Sequence, residues 1–68
     1  MFVKLTVNGD TMEVAAGLTV DGLLDLLEIK REFTAVALNR EVTARSAYGQ
    51  TVLREGDRVE IVHPMGGG

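Results

Sequence analysis

Three glycines, Gly66-Gly67-Gly68, close the chain directly behind the alternating stretch Arg58-Val59-Glu60-Ile61-Val62-His63. Glycine averages roughly 7% of protein sequence, so a terminal run of three is rare by chance and points to a working tail. Without Cβ atoms such a tail can pass through a narrow channel, and a carboxylate with no side chain beside it is open to attack. That is the chemistry of a carboxylate used as a substrate. The other candidates are poorer. His63 can change charge near neutral pH, but no other histidine and no cysteine stands near it, so a packed or solvated imidazole is the plainer reading. Asp21, Asp25 and Glu28 follow one another along a helical stretch and could be taken for a metal cluster, although a solvated helix face is by far the plainer reading. No nucleophile with an adjacent base and no acid-base pair stands out. An enzyme in its own right is therefore not expected.

The elements that must carry such a tail are few. Sixty-eight residues bury about 60% of the surface their unfolded chain exposes, which allows one small core and one domain. We place that domain at residues 1–63 and a flexible tail at 64–68. No run approaches the roughly 18 consecutive apolar residues of a membrane span, and Met1-Phe2-Val3-Lys4 opens at once into strand pattern rather than a signal peptide. A cytoplasmic protein without membrane contact is expected. The absence of cysteine removes disulfides, thiolate catalysis and Cys-type metal sites. A net charge of -3 with no basic cluster argues against nucleic acid as a partner.

Val3, Leu5 and Val7 alternate with Lys4, Thr6 and Asn8, the period of a half-buried strand. Asn8-Gly9-Asp10 supplies a tight turn, and Thr11 to Val14 a return strand. Past the break at Ala15-Ala16-Gly17, the residues Val20, Leu23, Leu24 and Leu27 form one apolar helical stripe. Thr19 suits its N-cap, Asp21 its first turn, and Leu18 with Leu23 the staple positions, while Gly22 weakens it slightly. Ala35 to Leu38 has the length of an interior strand, Asn39-Arg40-Glu41 turns, and Val42 resumes briefly. Thr43 to Tyr48 reads as irregular. A turn at Arg54-Glu55-Gly56-Asp57 then precedes the last strand, Arg58 to His63, which Pro64 ends. A hairpin, a helix and further strands combine most economically as an α+β fold, one mixed sheet of four to five strands with the helix across one face. Tyr48 and Phe33 are expected as core or core-edge anchors. If Val3, Leu5, Val7, Val59 and Ile61 are buried, then Phe2 and Val62 face the other way. With Met65 they are candidates for an exposed apolar docking contact near the tail, or simply finish the core edge.

In this order and at this length, the segments Val7-Asn8-Gly9, Leu18-Thr19-Val20 with Leu23-Leu24, Ala35-Val36-Ala37-Leu38-Asn39, Arg45-Ser46 and Val52-Leu53 are similar to the sulfur carrier proteins of thiamine thiazole synthesis. Gly56-Asp57-Arg58-Val59-Glu60-Ile61 and the terminal glycines complete the likeness to this ThiS family. The resemblance implies a ubiquitin-like β-grasp fold with first and last strands side by side and parallel. It also implies a cosubstrate without an active site of its own. The Gly68 carboxylate would be joined to AMP by an ATP-dependent E1-like adenylyltransferase, then converted to a thiocarboxylate with sulfur supplied through a cysteine desulfurase. Thiazole synthase would receive that sulfur. ATP and Mg would belong to the activating enzyme, leaving this chain, a monomer when free, with no cofactor.

Some residues depart from the family pattern. Arg40 stands where a small turn residue is common, and Thr43-Ala44 replaces an apolar residue and proline before Arg45. Pro64-Met65 before the glycines is similar to the small subunit of molybdopterin synthase, which performs the same conversion and is usually longer. A ubiquitin-like protein modifier would use Gly68 for an isopeptide bond. A plain interaction module would lose nothing on deletion of the glycines.

Overall fold

The computed structural model describes residues 1–62, apart from the side chain of Phe33. The tail expected at 64–68, with His63, Met65 and the glycines, lies outside the described residues. Strand β1, Phe2–Val7, pairs antiparallel with β2, Asp10–Ala15, in a hairpin whose register joins Phe2 to Ala15 and Val7 to Asp10. The connection is two residues long, and Asn8 and Gly9 take φ of 50° and 88°. That left-handed pair matches the twist of the flanking strands, which is why Asn-Gly is favoured there. The return strand thus runs one residue further at each end than its alternation suggests.

Helix α1, Val20–Leu26, begins where its cap residue dictates. Thr19 is extended, and its hydroxyl accepts the Gly22 N–H at 3.1 Å, satisfying one donor of the open first turn. Val20, Leu23 and Leu24 are fully buried and Leu27 packs beside them. The helix stops at Leu27, with Glu28 in the left-handed region at φ 59°. Gly22 does more than weaken the helix: a Cβ there would lie 2.7 Å from Leu18 Cδ1, so the glycine makes room for the residue preceding the cap.

Strand β3, Ala35–Leu38, turns through Asn39-Arg40 into β4, Glu41–Thr43, and the last strand is β5, Arg58–Val62. The sheet order is β2-β1-β5-β3-β4. Among the described residues only β1 and β5 pair in parallel, with Thr6 opposite Arg58 and Val7 opposite Val59. This is the mixed five-stranded sheet and single helix of the β-grasp arrangement, with β3 in its interior as its apolar run suggests. Two 3-10 turns, Arg31–Phe33 and Arg45–Ala47, fill stretches that sequence pattern leaves irregular.

Alternation places Leu5, Val7, Val14, Val36, Val59 and Ile61 on the helix side, where they meet α1, Tyr48 and Leu53 in one core. Tyr48 is buried, as expected for an anchor. The segment around Val52 carries no regular element, yet it is bound firmly to the helix start. Val20 N–H donates to the Thr51 carbonyl, Leu53 N–H to that of Leu18, and Asp21 N–H to that of Tyr48. No helix among the described residues is long and apolar enough to cross a membrane.

Candidate functional site

The outer face of the sheet is the surface that the helix leaves open. Residues directly opposite one another across a strand pair share a face, so the register assembles it. Val62 stands beside Ala35, and one step along Ala37 separates Glu60 from Val42. Val62 is 59% and Val42 82% exposed. Four apolar side chains, Ala35, Ala37, Val42 and Val62, therefore form one corner of the outer face, at the end where the chain leaves β5. The alternation finds Val62 by parity; the interior place expected for the Ala35 to Leu38 strand holds, but the outward face of Ala35, Ala37 and Val42 was not anticipated. The missing signal was the register of β3 with its two neighbours: opposite β5 it sets Val36 against Ile61 in the core and Ala35 beside Val62, and opposite β4 it sets Ala37 beside Val42.

Phe2 is also exposed on this face, at 65%. The structure does not bring it to Val62. Since β1 and β5 run parallel with Thr6 opposite Arg58, Phe2 lies four residues before that pair and Val62 four beyond it. Eight residues at about 3.3 Å each separate them by roughly 26 Å along the sheet. Parity places both on one face, but it carries no information about which ends of two parallel strands coincide. Phe2 instead meets Ala15 at the opposite corner.

A residue assigned only to a turn holds the root of the tail. At Asn8 the β1 backbone bends away into the hairpin, and the Asn8 side chain takes over the strand ladder. Its Oδ1 accepts the Ile61 N–H at 2.7 Å and its Nδ2 donates to the Ile61 carbonyl at 3.2 Å. The Asn8 N–H itself donates to Val59. A carboxamide offers one donor and one acceptor in the spacing of a peptide group, so it completes β5 up to the last residue before Val62.

The acidic helix face behaves as a clasp. Arg31 Nε lies 2.7 Å from Asp21 Oδ1 and Arg31 Nη2 lies 3.0 Å from Asp25 Oδ1. Asp21 above all raises the pKa of the guanidinium above its ordinary value; desolvation opposes this, and Asp25 adds to the rise. These carboxylates tie the segment after the helix back onto it. Among the described residues no group of three or more His, Cys, Asp or Glu side chains is placed to hold a metal ion.

Comparison with known proteins bears on both the domain and the tail. A profile of the ThiS family matches residues 5–68. The chain belongs to the ThiS family. Among solved structures, the ThiS thiamine biosynthesis protein of Geobacter metallireducens is 42% identical and superposes with a TM-score of 0.85, over 97% of this chain and 100% of that one. The sulfur carrier protein ThiS of Escherichia coli strain K12 is 29% identical over 66 residues, covering 97% of this chain and 100% of that protein. A thiazole synthase of Magnetococcus marinus is 42% identical over 66 residues. A second, from Paramagnetospirillum magneticum, is 38% identical over a stretch of the same length. The ThiS-family chain described here spans about a fifth of the length of these two synthases, 20% in each case.

Proposed function

We propose that this ThiS-family chain is a sulfur carrier for thiamine biosynthesis, a cosubstrate whose reacting group is the Gly68 carboxylate. The observation that carries this reading is the span of the family match, residues 5–68, which takes in the glycines together with the fold. It is supported by a carrier from Escherichia coli matched along its whole length. Relatives named thiazole synthase that contain a matching stretch favour thiazole synthase as the sulfur acceptor over a molybdopterin partner.

The chemistry follows from a carboxylate being a poor acyl donor, since oxide is a poor leaving group. A Gly68 oxygen attacks the α-phosphorus of ATP, pyrophosphate leaves, and the carboxyl carbon now carries AMP. The terminal sulfur of a persulfide, supplied through a cysteine desulfurase, displaces AMP. A second thiolate attacks the cysteine sulfur of the resulting acyl disulfide, forming a disulfide with that cysteine and releasing the thiocarboxylate as leaving group. Catalytic groups, ATP and Mg belong to an E1-like adenylyltransferase, and this chain contributes a slim tail at Gly66, Gly67 and Gly68. The apolar corner of Ala35, Ala37, Val42 and Val62 stands at the end of β5 and offers a docking contact.

Intact-protein mass spectrometry of the chain incubated with Mg, ATP, a thiamine-type activating enzyme and a sulfur source tests the reading. Exchange of one oxygen for one sulfur at Gly68 is expected. Deleting Gly67 and Gly68, or the substitution Gly67→Val, is expected to abolish the exchange without altering the fold, because a tail beyond the last strand adds few buried contacts. Normal adenylation of the truncated chain would overturn it.

A further inference from the structure

Two arginines share a cleft at the end of the sheet far from Val62. It has a volume of about 270 Å³ and is lined by Asn39, Arg40, Gly56 and Arg58. Arg40 and Arg58 are exposed, and the ion pairs among the described residues are those of Arg31, so neither has a carboxylate within salt-bridge distance there. Asn39 brings them together. Its Oδ1 accepts the Arg58 N–H at 2.9 Å and its Nδ2 donates to Asp57 Oδ1 at 3.1 Å, which pins the β3–β4 turn to the start of β5. Asn39 and Arg40 take φ of 52° and 73°, a turn whose second position favours glycine. An arginine there is strained, and strain held in a surface turn directs attention to what the side chain does.

The lining favours an anionic partner. Three of the four backbone amides in the lining are already used: Gly56 N–H donates to the Lys4 carbonyl, Asn39 N–H to the Arg58 carbonyl, and Arg58 N–H to Asn39 Oδ1. The guanidinium forks are left to bind, and their planar geometry pairs bidentately with anionic oxygens, which on a protein partner are carboxylates. A second hollow, lined by Thr6, Asn8, Gly9, Arg58 and Glu60, continues from Arg58 toward the tail root. Arg58 also shares the outer face with Val62, four residues or about 13 Å along β5. One protein covering the apolar corner would reach the cleft within an interface of ordinary size.

We propose that Arg40 and Arg58 form a docking site for carboxylate side chains of the enzyme that activates the tail. This rests on the carrier reading above. The chain has a net charge of -3 and presents a carboxylate to a centre loaded with anionic ATP, so the encounter is repulsive unless a local positive site orients it.

The test is steady-state pyrophosphate release by a thiamine-type activating enzyme, with the full chain as varied substrate at low and moderate salt. Arg40→Glu and Arg58→Glu are each expected to raise KM about tenfold and leave kcat unchanged. The wild-type advantage should shrink as salt shortens the screening length below about 10 Å. Arg40→Gly separates docking from folding: glycine adopts the turn freely, so Tm should hold or rise while KM still increases. Unchanged KM in both Glu variants, or a lower Tm in Arg40→Gly, would overturn the docking site while leaving the carrier function intact. Failure of the wild type to be turned over would overturn the carrier function and this site with it.

Discussion

At Asn8 one side chain meets two demands that sequence separates poorly. The left-handed φ of 50° suits asparagine in the hairpin, and the same residue supplies both hydrogen bonds to Ile61. Asn8→Gly tests the second role alone, since glycine keeps the turn. Loss of two partly buried hydrogen bonds is expected to destabilise the domain by about 1–2 kcal/mol. Hydrogen exchange at the Ile61 amide should accelerate more than at Val59. Equal protection at both amides would show that the β5 end is held by other contacts. The turn role of Asn8 was legible because Asn-Gly between alternating segments has one favoured geometry. The clamp was not, because Ile61 lies far along the chain.

At the scale of elements, helix α1 shows how local rules and packing compete. Its start was legible to the residue, since an extended threonine before an apolar stripe leaves its hydroxyl within reach of the open N–H groups. Gly22 was read from propensity alone, which favours alanine by about 1 kcal/mol. The 2.7 Å approach to Leu18 changes the expectation. Gly22→Ala should raise stability by much less than that, or lower it, because Leu18 must leave its place against the core. A thermal or denaturant titration showing the full propensity gain would mean that Leu18 moves without loss. Strands β1, β3 and β5 were legible from alternation and apolar runs. The 3-10 turn at Arg45–Ala47 and the contacts of Thr51 to Leu53 were not, since they depend on carbonyls and side chains supplied by the helix start.

For the whole molecule, the decisive fact is the direction in which β5 runs beside β1. It sets Val62 with Ala35, Ala37 and Val42 at one end of the outer face and Phe2 with Ala15 at the other. Val62→Ser is accordingly expected to weaken capture of the chain by its activating enzyme severalfold, whereas Phe2→Ser should leave it unchanged, as measured by KM for adenylation. Equal losses in the two variants would place the docking contact across the whole face. Sequence by itself determined the strand phases, the helix and its cap, the hairpin and the size of the core, because each rests on interactions within a few residues or on the burial of one alternating face. It also marked Gly66, Gly67 and Gly68 as the chemical candidate. The tertiary structure alone decided which exposed residues are neighbours: the apolar corner, the Asn8 clamp on Ile61 and the pairing of Arg40 with Arg58. Each joins residues distant along the chain, and such contacts follow from strand order and register, which side-chain period does not encode.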